Sequence, residues 1–266
     1  MMAHLDSVHT SSGLVVQDLS VGYGAAPVIR SISLDAMKPG EVTALIGPNA
    51  AGKSTLMRAI AGLLKPLSGG ITLGGEDILA LPLTQRARRI RFVPQVYATQ
   101  ARLTVFDLVL VARMTAGQGR AMPDDLAAAE RALVRIGISG LADRLVCHLS
   151  GGQQQLVALA QALARPAPVF LLDEPTSALD LRNQLEAIAI MRSIATEDGC
   201  IVIAALHDLN LAARHADQIV LMGDGKLVMQ GSPESVLRSA ACGDTYGVTL
   251  TTDITARGSL SIEASL

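Results

Sequence analysis

Apolar and polar positions change period several times along the chain, and each change marks an element. "GLVVQDLSVGYG" and "PVIRSISLDA" are short, β-branched and partly alternating, which predicts two antiparallel strands joined by a glycine turn. "EVTALIG" predicts a third strand, and "KSTLMRAIAGLL" follows it at once with helix-compatible spacing. "GGITLGGEDI" adds a turn-bounded strand and "IRFVPQ" another. From about 100 to 165 the period becomes helical in "TVFDLVLVARM", "PDDLAAAERALVRIG" and "GQQQLVALAQALA". Strand signals then return: "PVFLLDE" and "CIVIAALHD" are the continuous apolar runs of strands covered on both faces, with helical "LDLRNQLEAIAIMRSIA" between them. "ADQIVLMGDGKLVMQG" predicts a hairpin turning at Gly223, Asp224 and Gly225. The pattern is that of an α/β core with a helical insertion, without repeats or a long linker.

Composition narrows the class. Half of the 266 residues are hydrophobic and 17% are charged, so the chain has enough apolar material for a sizeable core and is not a disordered solvating segment. A net charge of -2 gives no whole-molecule attraction for nucleic acid. Cys147, Cys200 and Cys242 are odd in number and far apart, which fits a reducing compartment better than a disulfide framework. The first thirteen residues read as a loose tail rather than a secretory signal. No window reaches the roughly 18 to 20 apolar residues of a membrane helix. A mean hydropathy of +0.39 nevertheless leaves two readings open, an aliphatic core or a surface that docks on an apolar partner.

The candidate chemistry begins with "IGPNAAGKST", between a predicted strand and a predicted helix. It matches G-x-x-x-x-G-K-[ST] through Gly47, Gly52, Lys53 and Ser54, in the strand-to-helix context that a phosphate-binding loop needs. Gly47 and Gly52 permit the tight turn. The N–H groups from Asn49 through Ala50, Ala51 and Gly52 to Thr55 can converge as an anion nest at a helix start. Lys53 is placed to reach the β- and γ-phosphates of a nucleotide polyphosphate, and the Ser54 hydroxyl to ligate Mg²⁺. Asp173 and Glu174 end the buried run "VFLLDE", at the sheet edge where ligands bind. Asp173 is the candidate Mg²⁺ partner and Glu174 the candidate base for the attacking water. Without the loop upstream, two such acids could as well cap the next helix.

With "LSGGQQQ" at 149–155, "LLDEPTSALD", Gln95 in "VPQ" and His207 in "ALHD", the chain resembles the ATP-binding-cassette ATPases over about residues 14–235. The resemblance implies a P-loop NTPase core with an antiparallel β subdomain and a helical subdomain at about 97–165, followed by an extension at 236–266. By matching position, Tyr23 would stack on adenine and Gln95 would sense Mg²⁺ and water. His207 would contact the γ-phosphate as a catalytic switch beside Glu174 and Lys53. Ser150, Gly151, Gly152 and Gln153 would bind the γ-phosphate held by a second copy, and Asp180 would close the loop beside it. Serine followed by two small residues suits this chemistry, because it exposes backbone N–H groups at a helix start. Two positions depart from the common pattern: Ala50 stands where glycine is frequent, and Gln154-Gln155-Leu156 where an arginine is frequent. Altered rates rather than inactivity are expected.

The same resemblance implies a homodimer of ATPase subunits on the cytoplasmic face of the inner membrane, peripheral to separate permease subunits and served by a substrate-binding protein, with no nucleic acid. "TVFDLVLVARM" and "LTQRARRIRFVPQ" are similar to the importers of ferric siderophores, haem or cobalamin. An Fe–S-assembly type of ATPase is the remaining alternative; a small-molecule kinase conflicts with the signature segment.

Overall fold

The computed structural model describes residues 13–24, 26–95, 102–114, 121–177, 179–256 and 258–266. The expected N-terminal tail up to residue 12, and residues 96–101 and 115–120 of the expected helical insertion, lie outside them. The elements, in chain order, begin with the antiparallel pair β1 (Leu14–Tyr23) and β2 (Ala26–Met37), then β3 (Val42–Ile46), α1 (Lys53–Ile60), β4 (Ser68–Leu73) and β5 (Glu76–Asp77). Then come α2 (Leu83–Arg89), β6 (Ile90–Val93), α3 (Val105–Arg113), α4 (Pro123–Ile136), α5 (Gly151–Leu163) and β7 (Val169–Asp173). The chain continues through α6 (Leu181–Thr196), β8 (Ile201–Ala205), α7 (Leu209–His215), β9 (Gln218–Gly223) and β10 (Lys226–Gly231). It closes with α8 (Pro233–Leu237), α9 (Ala240–Tyr246), β11 (Thr249–Ile254) and β12 (Leu260–Ser265).

The central sheet runs β10-β9-β3-β8-β7-β6. It is parallel from β9 to β6, with β10 antiparallel at one edge. Every residue of β3, β7 and β8 is buried, because the sheet is covered on both faces and alternate side chains enter different cores. Ala44, Leu172, Val202 and Leu221 point to the layer of α3, α4, α5 and α6. Leu45, Leu171, Ile203 and Val220 point to the other face, against α1 and the antiparallel sheet β2-β1-β4-β5. A fully buried aliphatic side chain of this kind contributes about 1.5 to 3 kcal/mol, so apolarity at every position of these strands has a direct energetic cause.

Three local outcomes refine the expectations from sequence. "GGITLGGEDI" is two strands, not one, turning at Gly74 and Gly75, both in the left-handed region. The helix after the glycine loop stops at Ile60, four residues before the apolar pattern ends, and Gly62 at φ 77 turns the chain away. Residues 236–266 carry α9 and a β11-β12 hairpin, and Cys242, Leu260 and Ile262 join the larger core cluster.

Candidate functional site

β3 delivers the glycine loop to the sheet edge, and the loop's conformation follows from its neighbours. Gly47 has φ 144, and a Cβ there would lie 2.1 Å from the Met222 carbonyl oxygen of β9. Gly52 has φ 99, and its Cβ would strike Ile29 Cδ1 at 2.5 Å. Ala50 also sits in the left-handed region, at φ 64, where an L side chain costs about 1 to 2 kcal/mol. This is the position where the resemblance expects glycine. α1 has no side-chain cap and no acid in its first turn, whereas Ser150, Asp180 and Asp208 cap α5, α6 and α7. The first-turn N–H groups of α1 therefore have no acceptor within the helix, and with the helix dipole they form a donor set for an anion.

Lys53 lies almost wholly buried at the mouth of this cradle, its Nζ donating to the carbonyls of Gly47 at 2.6 Å and Pro48 at 3.0 Å. Burial lowers its affinity for protons, while Glu174 and Asp173 oppose that shift. Ser54 Oγ donates to Asp173 Oδ1 at 2.9 Å, although 119 residues separate them. Burial raises the Asp173 carboxyl above its ordinary value, Ser54 pulls it back, and the neighbouring Glu174 charge raises it further. A hydroxyl and a carboxylate oxygen, both hard donors at the edge of a phosphate cradle, fit Mg²⁺, which is commonly held by one or two protein oxygens plus the phosphates themselves.

Glu174 follows β7 with φ 50, a conformation uncommon for a residue with a side chain. Its Oε2 accepts from Gln95 Nε2 at 2.5 Å, and its Oε1 contacts His207 Nε2. The ends of β6 and β8 therefore bring two sequence-predicted residues, Gln95 and His207, onto the carboxylate of a third, Glu174, at the end of β7. One cavity is lined by Tyr23, Asn49 to Thr55 and Glu174, and Tyr23 also accepts a hydrogen bond from Arg58 at 3.2 Å.

Ser150, Gly151, Gly152, Gln153 and Asp180 do not line that cavity. Ser150 and Gln153 form a reciprocal cap at the start of α5, through Ser150 N–H to Gln153 Oε1 at 3.1 Å and Gln153 N–H to Ser150 Oγ at 3.3 Å. Asp180 caps α6 by accepting from Asn183 N–H at 2.8 Å. Leu156, at the second departure from the family pattern, is a buried core residue. Sequence reasoning missed two contacts of the site. Arg58 bonds Tyr23, and the Tyr246 hydroxyl of α9 accepts the Gly47 N–H at 2.7 Å. Arg58 lies one helical turn after Ser54, a spacing that could have flagged it; Tyr246 belongs to no motif.

The family model described as ABC transporter matches residues 29–177. The hemin import ATP-binding protein of Shewanella denitrificans is 40% identical over 84% of this chain and 89% of its own length. The ferric enterobactin transport ATP-binding protein of Escherichia coli is 36% identical over 87% and 86%. The cobalamin import ATP-binding protein of Halobacterium salinarum is 41% identical over 76% of this chain, which spans 50% of that longer relative. Among solved structures, an inward-facing putative metal-chelate type ABC transporter superposes with a TM-score of 0.81 at 27% identity, covering 96% of this chain and 98% of that one. A dimeric bacterial ABC transporter cassette gives 0.75 at 27% identity, over 83% and 98%. Glycine cradle, paired Ser54 and Asp173, and Glu174 between Gln95 and His207 thus sit on a fold shared with these cassettes, and the chain belongs to the ABC transporter family of ATP-binding proteins.

Proposed function

We propose that this protein is the ATP-hydrolysing subunit of an ABC importer that powers uptake of an iron complex, a ferric siderophore. The observation that carries hydrolysis is the position of Glu174, with both carboxylate oxygens engaged by residues from neighbouring strand ends and the phosphate cradle alongside. Bound through Ser54 and Asp173, Mg²⁺ would neutralise charge on the β- and γ-phosphates. Lys53 and the α1 amides hold the phosphate oxygens and align the terminal phosphorus for in-line attack. Glu174 takes the proton of the attacking water as its oxygen bonds to phosphorus and the bond to the β-phosphate oxygen breaks. Gln95 positions that water, and His207 steadies the terminal phosphate and Glu174 together. Tyr23, exposed at the rim, supplies an aromatic face for adenine.

The signature segment lies outside the cradle of its own chain, which supports a site completed by a second copy, with Ser150, Gly151, Gly152 and Gln153 reaching the terminal phosphate and Asp180 lining the joint. Closure on ATP and opening after phosphate release would drive separate permease subunits, placing the homodimer at the cytoplasmic face of the inner membrane. No helix among the described residues is long and apolar enough to cross a membrane. A binding protein would deliver cargo from the other side. Haem and cobalamin are second readings, supported by the hemin and cobalamin import ATP-binding proteins at 40% and 41% identity.

Reconstitution of the chain with its permease in vesicles tests the reading. ATP-dependent uptake of ferric siderophore, above uptake of haem and cobalamin, is the expected result. Capture of soluble scaffold proteins with no integral membrane partner would instead favour an assembly ATPase.

A further inference from the structure

We propose that Tyr246, at the end of α9, is a positioning residue for the nucleotide site: its hydroxyl fixes Gly47, and Gly47 in turn fixes the Lys53 amine. The inference rests on the reading of the glycine loop as a nucleotide site. Two hydrogen bonds flank the same glycine. Gly47 N–H donates to the Tyr246 hydroxyl at 2.7 Å across 199 residues, and Lys53 Nζ donates to the Gly47 carbonyl at 2.6 Å. On a third side the Met222 carbonyl leaves no room for a Cβ, so the strand β9 limits where Gly47 can move. The loop entrance is therefore held by residues that follow the motif-bearing part of the chain.

The far end of this link is itself anchored. Ser239 caps α9 by accepting from Cys242 N–H at 3.3 Å, and Cys242 is fully buried. Gly247 ends the helix at φ 68, and Val248 N–H returns to the Gly243 carbonyl at 3.1 Å. Burial pushes the Tyr246 hydroxyl up to about 12, with the Gly47 amide drawing it back, so it remains a neutral acceptor across the working pH range. Losing this bond frees the loop entrance and leaves a donor without its partner, while the ring and its packing remain in place.

Equilibrium binding of a fluorescent ATP analogue to the full chain tests this, using wild type, Tyr246→Phe, Thr245→Ala and Lys53→Ala. Thr245→Ala removes a bond inside α9, from Thr245 Oγ1 to the Ala241 carbonyl at 2.6 Å, without touching the loop. Tyr246→Phe should weaken ATP binding by about 2- to 10-fold, the range of one net hydrogen bond. It should also speed amide exchange at Gly47. Thr245→Ala should stay within about twofold of wild type in affinity. Unchanged affinity in Tyr246→Phe overturns the proposal, and so does equal weakening in Tyr246→Phe and Thr245→Ala, which would mark α9 as mere support. Wild type that binds no better than Lys53→Ala would instead remove the nucleotide reading itself.

Discussion

Glu174 Oε2 accepts a hydrogen bond from the Gln95 side-chain amide at 2.5 Å, although 79 residues separate the two. Through this bond the carboxylate at the end of β7 is tied to the strand that leads into the helical layer. Glu174→Gln preserves shape and removes the proposed base. Hydrolysis should fall by about 10²- to 10⁴-fold while ATP binding is retained, and a closed dimer should accumulate on size-exclusion chromatography with ATP and Mg²⁺. Normal turnover in this variant would take the base assignment away from Glu174.

Among the described residues Lys53 is the one cation lining the cradle, and on the proposed reading its removal would take away the direct partner of the phosphate charge. Lys53→Ala should weaken ATP binding by at least about tenfold, as expected for a charge-assisted bond. Isothermal titration gives the answer directly; equal affinity for ATP and AMP in the wild type would place the lysine away from the outer phosphates.

Ser150→Ala removes a helix cap as well as a candidate phosphate contact. The cap alone is worth about 1 kcal/mol, so some loss of thermal stability is expected in any case. The decisive comparison is functional: turnover at saturating ATP should drop, whereas ATP affinity measured at dilutions that keep the chain monomeric should not. Parallel loss of both would place the serine in its own chain's pocket.

Gly225 closes the β9-β10 hairpin at φ 73, and a Cβ there would lie 1.8 Å from the Val28 carbonyl oxygen. Its N–H also donates to the Ala51 carbonyl at 3.2 Å, and its carbonyl accepts from Arg30 N–H at 3.0 Å. Gly225→Ala should lower unfolding free energy by more than about 1 kcal/mol in urea. A variant as stable as wild type would show that β2 yields easily at this point.

Burial, then the charges of Arg192 and Arg214, holds His215 below the ordinary imidazole value of 6.5. Arg192 Nη1 faces it from α6, donating to the His215 carbonyl at 3.3 Å and pairing with Asp217 at 2.5 Å. The folded state takes up a proton less readily than the unfolded chain. The stability tied to His215 is therefore complete above 6.5 and is lost as pH falls toward the lowered folded value. Melting temperature should drop more between about pH 7.5 and about pH 5.5 in wild type than in His215→Gln. Parallel slopes would contradict this.

Much of the molecule is written locally. Continuous, mostly apolar runs mark β3, β7 and β8 because their backbones need side chains that suit two dry faces, and the spacing of Gly47, Gly52, Lys53 and Ser54 follows from one strand-to-helix turn. The link from Gly47 to Tyr246 left no such trace. A hydrogen bond across 199 residues depends on where the last helix docks, and docking is a property of packed surfaces rather than of neighbours in sequence. The same holds for Gly225, whose positive φ belongs to the turn but whose close approach to β2 is set by packing and adds a second reason for glycine. Short-range geometry is encoded by adjacent residues; long-range approach is settled when two layers close on a shared core.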